Sequence, residues 1–358
     1  MNKILSYLSA KQIICIGIVI ISLLVFGGLT LTANLLKRSL DDQRAAHRWS
    51  EDGGFAQVSC FFADNFTVDF NQIMLFRSHI ERSLREAAFA SEGSGRMFID
   101  SYSSFGTINI RSERSSLETK AVGIGGDFFI FHPLHLVNGA YFSGHDLMKD
   151  SVILDEEAAW QLFGSSNIAG MEVTIGGVPH FVRGVIRREK GRLWDAAGLN
   201  TGVAYVSSES LALYGRTTGI KQYEFLMPNP VSGFAYRVAT EKFGVSGDVM
   251  MVVDNTARFD WEALFKVISQ IGARSMQDYA VRLPYWENYA RGVEDILAFL
   301  LVFQILFLVV PGVITSVMLF RAYRGRSWTW VWVFLGIWGG LKNSLIFIHK
   351  KIMQKRIV

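Results

Sequence analysis

The sequence predicts a membrane protein in which an N-terminal transmembrane helix, a large α+β extracytoplasmic domain and two C-terminal hydrophobic helices follow one another. Three observations support this fold class. Half of the residues, 50%, are hydrophobic. The long uncharged runs lie near the two ends of the chain. Between these runs, strand-like alternation and helix-like periodicity follow each other, as in a mixed α+β domain.

The first element is an uncharged run over residues 13–36, which follows a short N-terminus, residues 1–12, predicted to be cytoplasmic. Roughly 24 residues at about 1.5 Å each give about 36 Å, enough to cross a bilayer core of about 30 Å. A cleaved signal peptide would have a shorter apolar core and a small-x-small cleavage site, which LTANLLK at residues 31–37 lacks. We therefore predict an uncleaved transmembrane helix.

The second element is the extracytoplasmic domain, residues 37–292, which has mixed α and β patterns. FAQVSCFF predicts a strand, and the apolar residues from Ile73 to Ala87 then recur at helical spacing. Asp155 in SVILDEEAAWQLFG is suited to cap a helix. The pair Gly176-Gly177 predicts a hairpin turn, because glycine tolerates a positive φ angle.

The C-terminal part contains two hydrophobic segments, residues 296–320 and 328–348, with a short basic loop, residues 321–327, between them and a basic tail, residues 349–358. The first segment has no charged residue and predicts a second transmembrane helix that tolerates Pro311. The other is interrupted by glycine and lysine, so a spanning and a re-entrant helix both stay open. Because basic residues are retained in the cytoplasm, we predict the loop inside and the large domain outside.

Several enzyme motifs do not occur in the sequence. It has no GxxxxGK[ST] phosphate loop, no GxSxG nucleophile elbow and no HExxH helix, so we predict that the chain has no ATPase or hydrolase activity and no cofactor of its own. The net charge of +4 is explained by the basic residues beside the spans, and no nucleic-acid partner is predicted. Cys60 is expected to be a small core residue, and with only Cys15 besides it no disulfide is predicted.

A weak candidate for a metal site lies in FHPLHLVNGAYFSGHD. Pro133 and the irregular spacing do not match the helical ligand pair of many zinc sites, so we expect no metal here. The four weak candidates for ligands are His132, His135, His145 and Asp146.

Two stretches resemble the extracytoplasmic core domain of the MacB/FtsX-like ABC transporter permease family. They are VGIGGDFFIFHPLHLVNGAYFSGHD, residues 122–146, and SVILDEEAAWQLFGSSNIAGMEVTIGGVPHFVRGVI, residues 151–186. The order of features is similar: a glycine-rich strand end, DFF, PL and GxYF with a following acid, then a strand, a short helix ending in Phe-Gly, and a hairpin closing on Gly-Val. The sequence is therefore identified as a MacB-like periplasmic core domain with its transmembrane helices.

The resemblance implies a permease-like subunit of an ABC transporter complex in a bacterial cell membrane. Such a subunit acts with a separate cytoplasmic ATPase that binds ATP and Mg. It forms a homo- or heterodimer with another permease subunit in the membrane lipid. The complex serves the export of peptide, drug or lipoprotein cargo. The loop between the second and third hydrophobic segments matches the family's cytoplasmic connection. Its candidates for contact with the ATPase are Arg321, Tyr323, Arg324 and Arg326.

One departure from the family keeps an alternative open. Family members usually have four spans, whereas this sequence predicts at most three, so we expect a shortened half of a heteromeric complex or a relative that no longer couples to ATP. The alternative function is a membrane-anchored extracytoplasmic binding or scaffold protein without nucleotide coupling. In that case the loop arginines only fix the topology.

Overall fold

The computed structural model describes residues 10–50, 54–89, 96–270 and 281–324. Residues Leu36–Ala298 form a compact unit of their own, called the globular unit below. A short 3-10 turn occupies Asp41–Gln43. The helices are α1 (Ala10–Arg38), α2 (Ala45–Trp49), α3 (Phe70–Glu86), α4 (Phe128–Phe131), α5 (Glu156–Phe163), α6 (Arg192–Ala197), α7 (Ser208–Tyr214), α8 (Phe234–Lys242), α9 (Trp261–Ser269) and α10 (Tyr285–Arg324). The strands are β1 (Phe55–Phe62), β2 (Ile99–Arg111), β3 (Ser116–Gly126), β4 (His135–Gly139), β5 (Ser151–Asp155), β6 (Glu172–Ile175), β7 (Val178–Arg187), β8 (Val203–Ser207), β9 (Arg216–Pro228) and β10 (Met250–Asp254).

The helices α1 and α10 are both long and apolar enough to cross a membrane. Helix α1 matches the predicted span closely. Helix α10 contains the whole predicted span and is longer than it: it begins at Tyr285 and continues through Arg324, so the first part of the predicted loop is helical. The predicted third segment, 328–348, the tail, 349–358, and Arg326 lie outside the described residues.

The early start of α10 has a physical reason. Trp286, Ala290, Val293 and Leu297 recur at helical spacing and are all buried within the globular unit. This first part of the helix is amphipathic, with Glu287 and other charged residues between the apolar positions. Only the later part of α10 is an uncharged run, so the predicted boundary of the outer domain at residue 292 lies inside the helix.

Part of the globular unit is a ferredoxin-like lobe. Its strands lie in the order β10-β1-β9-β2, and each is antiparallel to its neighbours. The units β1-α3-β2 and β9-α8-β10 together give the split β-α-β arrangement of ferredoxin-like folds. Apolar residues of α3 and α8 contribute to one hydrophobic cluster with the sheet.

The predictions for the first strand and the first helix of this lobe are confirmed. Asp69 and Gln72 form a capping box at the start of α3, and the apolar positions from Ile73 to Leu84 are buried, whereas Ala87 lies just after the helix as its C-cap. Cys60 is fully buried in β1, as predicted. Burial, reinforced by the nearby charge of Glu224, raises the pKa of this thiol.

The strands β3 to β8 are inserted between β2 and β9 and form a second lobe, called the barrel lobe. Its strands follow the order β2-β3-β8-β5-β7, and the short strand β6 pairs with both β7 and β2, so that six strands close a ring. The pairs β3-β8 and β5-β7 are parallel. A hydrophobic cluster of residues from Ile108 to Leu211 fills this lobe.

Two local predictions in the barrel lobe are confirmed. The Asp155 side chain accepts a hydrogen bond of 2.8 Å from the Ala158 amide at the start of α5. Gly176 and Gly177 form the turn between β6 and β7 with φ angles of 61° and 83°. Within this hairpin, Phe181 is 43% exposed because it points away from the interior that its neighbour Val182 enters.

Candidate functional site

A set of buried and half-buried polar side chains runs through the globular unit and joins the residues after α1 to the first turns of α10. Charged groups are rarely fully buried unless they are paired, so such a set marks a specialised place in the fold. We call this set the polar network. Its members are Asp42, Gln43, Gln57, Ser59, His132, Glu224, Asn255, Arg258, Glu287, Arg291 and Glu294.

His132 lies near the centre of the polar network. It follows the short helix α4, and its side chain is 1% exposed. The distance from Nδ1 to Asp42 Oδ1 is 2.9 Å, and the distance from Nε2 to Glu224 Oε2 is 2.5 Å. The Trp286 ring covers the imidazole at 4.4 Å between ring centroids. His132 therefore joins the residues after α1 to strand β9, beneath an aromatic residue of α10.

A chain of hydrogen bonds continues from Glu224 across the sheet. The Ser59 hydroxyl of β1 donates to Glu224 Oε1 over 2.7 Å and accepts from Asn255 Nδ2 over 2.8 Å. Arg258 in turn donates to Asn255 Oδ1 over 3.4 Å. Side chains from strand β9, strand β1 and the segment after β10 are thus linked without a break.

Arg258 is the second charged centre of the network. Its two terminal nitrogens each donate to Glu287 over 2.7 Å, with side-chain exposures of only 4% for the arginine and 1% for the glutamate. It also donates to Gln43 Oε1 over 3.2 Å and to Glu294 over 3.4 Å. Burial alone would lower the pKa of Arg258, but the charges of the two glutamates outweigh it and raise that pKa above its usual value.

The chain that leaves α1 is held by a further residue of β1. Gln57 is fully buried, accepts a hydrogen bond from the Ala45 amide over 3.0 Å and donates to the Asp42 carbonyl over 2.7 Å. Because an amide side chain satisfies both partners at once, this contact fixes the backbone between α1 and α2. The residues after α1 and the first turns of α10 are therefore both attached to the ferredoxin-like lobe by buried polar groups.

His132 is charged at neutral pH. Burial alone would lower its pKa, because the imidazolium loses its water. The charges of Glu224 and Asp42 and the hydrogen bonds to them outweigh this loss and raise the pKa of His132 to about 9. In the protonated form both ring nitrogens donate, one to each carboxylate.

This raised pKa predicts that stability falls as the pH rises. A group whose pKa is higher in the folded state stabilises the fold fully below its unfolded pKa of about 6.5, and the contribution is lost as the pH rises through about 9. The total contribution is on the order of 3 kcal/mol. We expect the free energy of unfolding of the full-length chain, measured with urea in a mild detergent, to decrease over this range.

A matched pair of variants assigns the effect to His132. The slope of stability against pH should disappear in His132→Gln and persist in His135→Gln, whose histidine is 73% exposed in the side chain. An unchanged slope in His132→Gln would mean that another group titrates.

The structure separates the four weak candidates for a metal site. Each has a different partner, and the described residues contain no group of three or more His, Cys, Asp or Glu side chains that could hold a metal ion. His132 lies in the polar network, His135 contacts Glu189 at 3.1 Å, His145 lies 3.7 Å from Asp127, and the Asp146 carboxylate accepts from the Ser143 amide over 3.0 Å.

The predicted ATPase-contact residues lie on the last turn of α10 as far as the structure describes them. Arg321, Tyr323 and Arg324 are exposed, with Tyr323 at 82%, and Arg324 lies 5.8 Å above the ring of Phe320. The role of these side chains, and of Arg326, stays a prediction.

The polar network was not predicted from the sequence. Its members come from distant parts of the chain, and no short motif contains them. One signal was available: Glu224 interrupts the apolar strand QYEFLMP, and Glu287 precedes an apolar run within the same helix. A charged residue at a position that the pattern predicts to be buried indicates a buried partner.

Comparisons with known proteins give a family and several similar chains. The family model of the MacB-like periplasmic core domain matches residues 13–242. The macrolide export ATP-binding/permease protein MacB of Chromobacterium violaceum is 32% identical over 85 residues, which make up 23% of this chain and only 13% of that protein.

Three solved structures are also similar to this chain. The periplasmic region of MacB from Actinobacillus actinomycetemcomitans is 16% identical with a TM-score of 0.39, over 60% of this chain and 92% of that one. The extracellular domain of the noncanonical ABC-type transporter YknZ from Gram-positive bacteria is 14% identical with a TM-score of 0.34, over 55% and 99%. A domain of a putative permease protein from Porphyromonas gingivalis is 12% identical with a TM-score of 0.32, over 56% and 88%.

Proposed function

Because this chain belongs to the MacB-like periplasmic core domain family, within the ABC transporter permeases, we propose that it is a permease-like subunit that couples a separate cytoplasmic ATPase to its globular unit. The globular unit lies outside the cell membrane of a bacterium, and α1 and α10 cross that membrane. The ATPase partner binds ATP and Mg. A second permease subunit completes a homo- or heterodimer, as implied by the family resemblance.

The polar network is the observation that carries this proposal. Coupling requires that a displacement of the chain at the ends of the spans reaches the sheet instead of being absorbed by a loop. Asp42 after α1 and Glu287 in α10 are both bound to buried partners of opposite charge. Removing one partner of a fully buried pair such as Arg258 and Glu287 costs about 3–5 kcal/mol, so we expect this attachment to stay intact while the chain moves.

The proposed work of the complex is export or extrusion. The relative from Chromobacterium violaceum is named for macrolide export, and peptide, drug or lipoprotein cargo is the class that the family resemblance implies. The globular unit contacts the cargo or a further envelope protein on the outer side, and the chain itself hydrolyses no nucleotide.

A pull-down from mild detergent tests the coupling. We expect the full-length chain to co-purify with a nucleotide-binding subunit and with ATP hydrolysis in the eluate. The triple variant Arg321→Glu, Arg324→Glu and Arg326→Glu should lose both, because it reverses the charge of the proposed contact. The control carries the same charge change at exposed arginines of the globular unit, Arg111→Glu, Arg183→Glu and Arg216→Glu, and should retain both.

Two results would overturn the proposal. If the triple variant keeps the ATPase, the three arginines are topology signals only, and the contact lies elsewhere. If only envelope proteins co-purify with the unchanged chain and no ATP is hydrolysed, the chain is a membrane-anchored scaffold.

A further inference from the structure

Helix α9 leaves an aromatic pair uncovered. Within this helix Leu264 and Val267 are buried at 4% and 6% exposure, whereas Trp261 is 67% exposed and Phe265 57% exposed. Residues four apart lie on the same face of a helix, so the two rings are neighbours. Exposed aromatic residues in adjacent turns are unusual on a surface that faces only water.

The apolar side of α9 is wider than the surface that it buries. At about 100° per residue, the buried positions occupy one part of the apolar arc, and Trp261, Phe265 and the half-buried Ile268 occupy the part next to it. Glu262 and Lys266 lie together on the opposite side. The helix therefore presents one apolar strip to the globular unit and a second, aromatic strip away from it.

Contacts inside the globular unit place the start of α9 beside the first part of α10. Arg258, two residues before the N-cap Asp260, contacts Glu287 and lies 3.4 Å from Glu294. The uncharged run of α10 begins two residues later, at Ile296, which is about 3 Å further along the helix axis. The residue just before α9 is thus attached to the turns of α10 that directly precede its uncharged run.

We propose that α9 is an interfacial helix that inserts Trp261 and Phe265 into the boundary between headgroups and acyl chains on the outer face of the membrane. This inference rests on the proposed placement of α10 across the membrane. Tryptophan is enriched at this boundary because its ring is apolar and its N–H is polar, and interfacial helices bury tryptophan and phenylalanine on their apolar face. The attachment of Arg258 to the turns of α10 before its uncharged run and the two exposed rings of α9 together meet that requirement.

The charge of α9 defines the lipid that it needs. Amphipathic helices that depend on anionic lipid carry an excess of lysine and arginine on the polar face. Here Glu262 and Lys266 balance each other, and the N-cap is the acidic Asp260. A bilayer of zwitterionic phosphatidylcholine alone is therefore sufficient, and added anionic lipid should leave the insertion of α9 unchanged.

Nitroxide labelling of the full-length chain in phosphatidylcholine nanodiscs tests the inference. The chain carries Cys15→Ser, and Cys60 is fully buried. Single cysteines replace Phe265 in α9, Trp160 in α5 as an equally exposed control of the barrel lobe, and Val309 in α10 as a marker of the span. Power saturation with oxygen and with a water-soluble nickel chelate then reports which labels contact lipid.

We expect the labels at 265 and 309 to be accessible to oxygen but not to the nickel chelate. The label at 160 should be accessible to the nickel chelate. Nickel accessibility at 265 equal to that at 160, with 309 in lipid, would overturn the inference and leave the proposed function intact. An immobile label at 265 that neither reagent reaches would also overturn it, because protein would then cover α9. If the label at 309 is accessible to the nickel chelate, α10 does not cross the membrane there. Both the proposed function and the proposed insertion of α9 would then be wrong.

Discussion

Replacement of Arg258 by methionine is expected to lower the free energy of unfolding by about 3–5 kcal/mol, because it leaves the buried Glu287 carboxylate without its bidentate partner. A methionine fills much of the same volume but cannot offset a buried negative charge. Arg291 also contacts Glu287, at 3.1 Å. It would offset the charge of Glu287 only in part, because its side chain is 21% exposed and this contact is already present in the unchanged protein. Urea unfolding of the full-length chain in detergent measures the loss.

A surface arginine supplies the control for Arg258. Arg282 is 88% exposed in its side chain and lies 2.9 Å from Asp64, so Arg282→Met should change stability by no more than about 1 kcal/mol. The double variant Arg258→Met with Glu287→Met should recover much of the stability, because it removes both charges from the interior. Equal losses of stability in Arg258→Met and Arg282→Met would contradict the prediction that the buried pair of Arg258 and Glu287 stabilises the fold.

Replacement of His132 by leucine is the second change with a large expected effect. The imidazolium lies between Glu224 and Asp42, and Glu224 is buried with 3% of its side chain exposed. Without the imidazolium, the Glu224 carboxylate keeps only the hydrogen bond from Ser59 among its partners in the network. We expect a loss of about 3–5 kcal/mol at neutral pH, measured in the same urea experiment.

The control for His132→Leu is the same substitution at His135, three residues further along the chain. His135→Leu makes the same substitution at a side chain that is 73% exposed and contacts Glu189, so its effect should stay within about 1 kcal/mol. Adding Glu224→Gln to His132→Leu should restore part of the lost stability, because the amide is neutral. If the double variant is less stable than His132→Leu alone, Glu224 is stabilised by something other than the histidine.

Local chemistry explains which parts of the fold could be predicted from the sequence. The cap at Asp155 and the turn at Gly176-Gly177 depend on residues close together in the chain, and both are confirmed. The pairing of β6 with β2 that closes the barrel lobe joins Ile110 to Ile175, and no local pattern signals it. The turns of α10 before residue 296 were not predicted, because they form an amphipathic face rather than an uncharged run.

The candidate site was less predictable for the same reason. His132 was noted only as a weak metal candidate, because three histidines and an acid occur together in the sequence. Its real partners, Asp42 and Glu224, lie about ninety residues away on either side, as the sequence separations of 90 and 92 residues show. Proximity in sequence therefore suggested the wrong neighbours, and only the folded sheet brings the three charged groups together.

The pairing of β2 with β9 has a consequence for how this protein is built. Thr107 pairs with Arg216, so the stretch between them leaves and re-enters the ferredoxin-like lobe at positions about 5 Å apart. Its hydrophobic cluster, from Ile108 to Leu211, lies wholly inside that stretch. Residues 107–216 thus have adjoining ends and a hydrophobic cluster of their own, as an inserted segment would. His132 inside this stretch, however, contacts Asp42 and Glu224 outside it, so the polar network ties the insertion to its host. A chain that exchanged or lost this stretch would therefore need a new partner for the buried Glu224 carboxylate, and the change in one lobe would demand a matching change in the other.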